Sequence, residues 1–423
     1  MATLNASRSA KIAAGAAALS LAITACGSAA KPAGSNTGPS TAPQQSGGGL
    51  PPGAPIKIAL ISPLTGPTSF LGEGDVQGLT LAVDDVNAQG GIDGHKIQLI
   101  VKNYGTSTNQ AITDLYAVNG QGVLAVMGPV DDFVAEAFGP IANRLGIPTL
   151  IPSLSPSVVI PPEHYVFEDV PLPQYWAVPL VQWMKYKGIK RFAVAWDTTD
   201  AFGVDGVPAM VKLAKQDGIQ VVGEYKFQVN TTDFSSILAQ LKQTNAQVFS
   251  VWGPGVAEVI LTKQFMADGL NKQMQLMMGG TQCLSQYTQP LGNLANGIVL
   301  DCNDADLGTY LPPTTPFTNM VLKFAREFQA KYGTQPPQFA VDAYAGGQIL
   351  FTAMKQAKAL TRNDIADAMN HLSILTVDGN YHYTPTQHGS VSDVNNIAMV
   401  RIENGKFVPT NWEVKYRFPN LPR

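Results

Sequence analysis

Ile56-Lys57-Ile58-Ala59-Leu60-Ile61, followed by Ser62-Pro63-Leu64-Thr65-Gly66-Pro67, decides the fold. A short, mostly apolar run ended by a Pro- and Gly-containing loop reads as a strand buried on both faces, as in a parallel sheet. Beyond the loop, Val76, Leu79, Val83 and Val86 recur at helical spacing and predict a helix over 75–88. Gly90-Gly91 stops it, because glycine takes positive φ at no steric cost. Residues 97–102 predict the next strand. Strand, helix, strand in this order is a crossover unit, and a crossover unit pairs its strands in parallel.

The rhythm extends outward. Helices are expected over 109–118 and 132–144, and strands over 122–127 and 148–151. It then restarts, with strands at 191–196, 220–225, 247–252 and 275–278. Helices fall at 207–216, 234–243 and 256–267, the second capped by Thr232-Asp233. After Asp301 the chain turns more helical, over 317–332, 339–359 and 362–372, and 396–403 and 406–414 read as strands. Two alternating series define an α/β fold of two doubly wound parallel-sheet lobes. No short-period repeat is present.

Composition narrows the function classes. Charged residues make up 14% of the 423 and the net charge is −3, which argues against a nucleic-acid binder needing a basic surplus. Hydrophobic content of 45% supplies real cores. Three cysteines exclude a four-cysteine zinc site, and five scattered histidines argue against a histidine-built metal centre, so neither metal nor cofactor is expected. Near the start, Arg8 and Lys11 precede an apolar run of about 14 residues, too short to span a bilayer but suited to a signal-peptide core. It ends Leu21-Ala22-Ile23-Thr24-Ala25-Cys26-Gly27, which resembles the lipobox of bacterial lipoproteins. That resemblance implies a signal peptide over 1–25, lipidation of Cys26 and an extracytoplasmic protein held to the cell membrane by lipid alone. Residues 26–55 are rich in Gly, Ser, Pro, Ala and Thr and read as a flexible tether.

Several runs carry a wider resemblance. They are Ala82-Val83-Asp84-Asp85-Val86-Asn87-Ala88-Gln89-Gly90-Gly91-Ile92-Asp93-Gly94, Val126-Met127-Gly128-Pro129, and Gly146-Ile147-Pro148-Thr149-Leu150-Ile151-Pro152-Ser153. With weaker echoes at Thr199–Gly203, Asp233–Leu238 and Ala343-Tyr344, the chain resembles type I periplasmic binding proteins over about 56–372. The nearest likeness is to the Leu/Ile/Val-binding subfamily of ABC-importer receptors. The resemblance implies lobes joined by a three-strand hinge, with crossings near 168–171, 299–302 and 375–378. One lobe would combine 56–170 with 302–375, and the other 171–301 with 376–423. It also implies a small-molecule ligand and ABC permease subunits as partners, and a binding protein rather than an enzyme. A sensing ectodomain feeding a signalling partner is the alternative on the same cleft.

Ligands of open α/β sheets bind beyond the carboxyl ends of the strands. The loops expected there are 62–72, 128–133, 152–157, 197–203, 252–255 and 279–282. In amino-acid-binding members of the resembled family, a loop Ser or Thr after the third strand helps hold the ligand carboxylate. Here that place falls at Asp131-Asp132, where a second carboxylate would be repelled. Asp132 could instead serve only as a helix cap. A following hydroxyl is retained as Ser153 or Ser155. The acidic residue that holds the ligand ammonium falls near Thr281, which is uncharged. Phe70 or Leu71 stands at the aromatic position after the first strand, and Phe202, Trp252 and Gly253 complete the expected wall. The ligand expected is a small organic one, amino-acid-like or an amine, amide, polyol or larger partly apolar solute, without a free α-carboxylate in the usual place.

Other constellations yield to simpler readings. Gly72-Glu73-Gly74-Asp75-Val76-Gln77-Gly78 looks like a dinucleotide fingerprint, but its spacing has one residue too many. No Walker A, G-x-S-x-G or H-E-x-x-H motif occurs. Tyr381-His382-Tyr383 and His388 sit in a turn-rich stretch and read as surface or inter-lobe residues. Cys283 and Cys302 would form a disulfide in an exported protein, or else remain two buried thiols.

Overall fold

A computed structural model describes residues 50–389 and 396–417. The expected signal peptide, Cys26 and the tether up to residue 49 lie outside them.

Strands β1 (Ile56–Ser62), β2 (Ile97–Asn103), β3 (Ala125–Met127), β4 (Thr149–Ile151) and β5 (Val166–Glu168) form a wholly parallel sheet in the order β2-β1-β3-β4-β5. Helices α1 (Ser69–Ala88), α2 (Thr108–Gly120) and α3 (Asp132–Arg144) make its crossovers. Helix α4 (Pro173–Tyr186) leads into the second series, which the sequence reading had not given a helix there. Strands β6 (Arg191–Asp197), β7 (Gln220–Phe227), β8 (Val248–Trp252), β9 (Gln275–Met278) and β10 (Val299–Asn303) repeat the first order as β7-β6-β8-β9-β10, again parallel. Helices α5 (Ala201–Gln216), α6 (Ser235–Leu241), α7 (Val256–Ala267) and α8 (Ser285–Leu291) accompany them.

The chain then passes through α9 (Asp304–Leu307), α10 (Pro316–Tyr332), α11 (Gln338–Gln356) and α12 (Arg362–Met369) to the hairpin of β11 (Ser373–Thr376) and β12 (Gly379–His382). Strands β13 (Ile397–Glu403) and β14 (Lys406–Pro409) return to the second sheet, antiparallel beside β10. Helix α13 (Asn411–Tyr416) closes the described part. The strand expected over 406–414 therefore stops early. The Thr410 hydroxyl accepts the Glu413 N–H and starts a helix instead.

The glycines of the false fingerprint explain a second difference. Helix α1 begins at Ser69, six residues before the expected start, so Gly72, Gly74 and Gly78 lie inside it. They are packing sites rather than helix breakers. A Cβ at Gly78 would stand 2.2 Å from the Ala340 carbonyl oxygen, so only glycine lets α1 and α11 approach this closely. Tyr344 of α11 locks the contact by donating to Asp85 at 2.6 Å. Phe70 and Leu71 consequently stand on the first turn of a helix and not in a loop.

Tyr381, Tyr383 and His388 are buried, which corrects the surface reading for these three; His382 alone is exposed. Tyr383 donates to the Glu168 carbonyl at 2.8 Å, and Tyr381 to that of Asp169 at 2.6 Å. His388 bridges the Val166 carbonyl and Asn370. They tie the end of β5 to the segment following β11.

Cys283 and Cys302 are joined, with Cα atoms 5.8 Å apart. The bridge links the loop after β9 to β10 beside it. Closing a loop of this length removes about 3 kcal/mol of unfolded-state freedom. The native protein should therefore show no alkylatable thiol at these positions, and Cys283→Ser with Cys302→Ser should unfold in urea with about 3 kcal/mol less stability than the oxidised form.

Candidate functional site

The repeated strand order fixes where a ligand can go. In both sheets the connections change direction between the first and third strands, leaving a crevice at the carboxyl ends of β1 and β3 and of β6 and β8. These ends share one cavity of about 350 Å³, the bulk volume of roughly a dozen waters. From the first sheet, α1 brings Phe70 and Leu71, the loop after β3 brings Val130 to Phe133, and that after β4 brings Pro152 and Leu154. From the second, the segment after β6 brings Asp197, Thr199, Asp200 and Phe202, and that after β8 brings Pro254 to Val256. Trp176 of α4 and Gln338, Phe339 and Asp342 of α11 complete the wall, with Thr281 after β9.

The wall is apolar, and its titratable side chains are all carboxyls. Asp131, Asp132, Asp197, Asp200 and Asp342 line it, and among the described residues no Lys, Arg or His does. Phe133 and Val256 are 63% and 64% exposed, leaving apolar rims on opposite sides.

Asp132 holds the two sides together. Its Oδ1 accepts the Ser153 hydroxyl at 2.7 Å and the Leu154 N–H at 2.8 Å. Its Oδ2 accepts the Ala201 N–H, at the start of α5 in the other lobe, at 3.1 Å. Asp132 is thus not the cap of its own helix; that position belongs to Asp131. Burial raises the Asp132 pKa, while these three hydrogen bonds pull it back down. Asp131 accepts the Tyr104 hydroxyl at 2.7 Å and is likewise raised, burial outweighing that bond. On the opposite wall, Asp197 Oδ1 accepts both the N–H and the hydroxyl of Thr199, at 2.7 and 2.6 Å. Its Oδ2 is buried with no hydrogen-bond partner.

Of the expected ligand residues, the structure brings Phe70, Leu71, Asp131, Asp132, Phe202 and Thr281 to the cavity and leaves four behind it. Ser153 is fully buried, its hydroxyl committed to Asp132. Ser155 donates to Glu136 at 2.6 Å. Trp252 is buried beneath Phe202, ring centres 4.6 Å apart, with its indole N–H on Ser250. Gly253 offers its carbonyl inward, to Thr281 and Gln282 at 2.9 and 2.8 Å. Its missing side chain makes room for Glu258, whose Oε1 would lie 2.3 Å from a Cβ there. Sequence reasoning missed Trp176, Gln338, Phe339 and Asp342. They come from helices, and only the α1–α11 packing brings the last three to the cleft. Asp197 had a signal, an acidic residue ending a strand at the head of a named loop.

Two sheets of one topology meeting at a common carboxyl-end cleft define a two-lobed capture protein. The periplasmic binding protein family model matches residues 55–406, and the chain belongs to that family. It is 23% identical over 339 residues to Leu/Ile/Val-binding protein homolog 7 of Brucella abortus, covering 77% of this chain and 84% of that one. Homolog 8 of the same organism is 25% identical over 335 residues, covering 76% and 81%. Among solved structures, the branched-chain amino acid transporter substrate-binding protein LivJ of Streptococcus pneumoniae, in complex with isoleucine, superposes with a TM-score of 0.72 at 22% identity. That match covers 84% of this chain and 97% of the other. A substrate-binding protein of Desulfitobacterium hafniense in complex with Leu gives 0.68 at 20%, covering 84% and 99%. These chains have the same type I fold.

Two outcomes follow from the site's electrostatics. Replacing Asp132 by Leu strands three donors, each costing about 1–3 kcal/mol when left unpaired and buried. The Asp132→Leu protein should lose stability in urea and show a larger radius of gyration in solution scattering. Burial also pushes Asp75 and Asp378 up to about 7 and Glu258 up to about 8. A carboxyl whose folded pKa exceeds its unfolded one keeps the folded state protonated, so its stabilisation is complete below about pH 4 and is lost as pH rises through 7–8. The melting temperature should fall between pH 5 and pH 8.5, and Asp75→Asn should flatten that slope.

Proposed function

We propose that this chain is an extracytoplasmic receptor, lipid-anchored through Cys26, that shuts two lobes on a small organic solute and hands it to the permease of an ABC importer. The observation that carries the reading is the cavity built from the carboxyl ends of both sheets, with Asp132 hydrogen-bonded across it to Ala201. A ligand touching both walls favours the closed arrangement by the difference in its affinity for closed and open states. The lobes we assign are 56–170 with 302–375 and 171–301 with 376–423, hinged near 168–171, 299–302 and 375–378. Binding rather than turnover is the reading, in keeping with relatives named as binding proteins.

The ligand has an apolar body and lacks an α-carboxylate in the usual place. The apolar wall supports the first part and the commitment of Asp132 to donors from both sides supports the second. Native mass spectrometry of freshly purified protein should detect a co-purified small molecule. Scattering before and after its removal should show expansion, and re-addition should restore the compact form. Unchanged scattering with every solute tried would overturn the receptor reading. Cys26→Ser should move the protein from the membrane to the soluble fraction; retention at the membrane would refute the anchor.

A further inference from the structure

We infer that the cleft selects an organic cation: a protonated amine on an aromatic or branched aliphatic body, with no carboxylate of its own. This rests on the receptor reading and specifies its ligand.

The titratable side chains along the cavity are all carboxyls. Asp131, Asp132, Asp197, Asp200 and Asp342 line it, with no cationic side chain among the described lining residues to match a ligand anion. The place where a carboxylate would be held is already filled. Asp132 takes the Ser153 hydroxyl and Leu154 N–H of one lobe and the Ala201 N–H of the other. A ligand carboxylate would find these donors spent and a buried negative charge beside it, an arrangement that costs energy.

Unpartnered acceptors, by contrast, are built into both walls. Asp197 Oδ2 is fully buried without a partner, and so is Gln338 Oε1 of the opposite lobe, on a residue 5% exposed. An ammonium brings three donors and no acceptor, the complement of such a wall. Phe70, Phe202, Trp176 and Phe339 supply ring surface for the body and for cation–π attraction.

A polyol or amide needs donors from the wall as well. Thr199 spends its hydroxyl proton on Asp197, and Thr281 spends its own on the Gly253 carbonyl. Burial raises the pKa of both Asp131 and Asp132, and a cation between the lobes would offset that desolvation.

The test uses the intact ligand-free protein and matched probes, read by calorimetry and by scattering. 2-Phenylethylamine and isoamylamine are compared with the neutral alcohols 2-phenylethanol and isoamyl alcohol, and with phenylalanine and leucine. The amines should bind at one site at least tenfold more tightly than their alcohols and compact the protein, while the amino acids should bind at least tenfold more weakly than the amines. Asp197→Asn, checked for a native melting transition, should reduce the amine preference over alcohol at least tenfold. Should that variant fail to fold, the probe series on the unaltered chain decides alone. Tighter binding of leucine or phenylalanine, equal binding of amine and alcohol, or no binding of either amine would overturn the inference. If leucine or an alcohol still compacts the protein, the receptor reading survives that failure; if no solute does, both fall.

Discussion

Everything at the cleft depends on one carboxylate that accepts hydrogen bonds from two lobes. Asp132 stands at the start of α3, takes two donors from the loop after β4, and reaches the first N–H of α5 across the cavity. A helix N-terminus carries unpaired N–H groups and a partial positive charge, so it is a natural seat for an anion. Here the anion is part of the chain. The two sides of the cavity are therefore joined by a hydrogen bond of the chain itself, and whatever enters the cavity adds to a contact that already exists. The same contact removes a donor set that a free carboxylate would need.

The topology makes that contact possible. Each sheet runs in the same strand order, so each places its direction reversal, and the loops beside it, at the carboxyl edge. Two copies of this arrangement facing one another produce a cavity with equivalent loops on both sides. The α1–α11 contact adds a third wall. Gly78 lets α11 sit against α1, and this proximity carries Gln338, Phe339 and Asp342 to the cavity. A helix more than two hundred residues downstream is thereby part of the first lobe's binding face.

The alternation of apolar runs with helical periodicity was legible because it is local: β1, β9 and α3 lie close to where hydrophobic spacing puts them. Glycine misled where its role is tertiary. At Gly72, Gly74 and Gly78 local propensity says break, but the backbone is helical because another helix needs the space. Of the site, the positions reachable from strand ends were legible, namely Phe70, Leu71, Asp131, Asp132, Phe202 and Thr281. Ser153, Ser155 and Trp252 lie in the right loops, yet face inward, because side-chain direction is set by the hydrogen bonds of Asp132, Glu136 and Ser250. No spacing rule in the sequence encodes those directions.

One cluster of buried acids shows the energetic character of the whole. Asp75, Asp169, Asp342 and Asp378 are all buried; burial raises the pKa of each, and repulsion from Asp75 and Asp378 raises Asp169 and Asp342 further. Neither carboxylate oxygen of Asp169 has a partner. Such groups are costly as ions and cheap as neutral acids. What holds them in place is a frame of neutral donors: Ser62 to Asp75 at 2.6 Å, Tyr381 to Asp378 at 2.5 Å, and Asn303 to Asp342 at 3.2 Å. Tyr381 also donates to the Asp169 carbonyl, so the same side chain links the Asp378 carboxyl to the backbone just after β5. Protonation of these acids and the stability of the packing around them are therefore one equilibrium. Ionising these acids adds like charge to one buried cluster, which is the physical origin of the stability lost as pH rises.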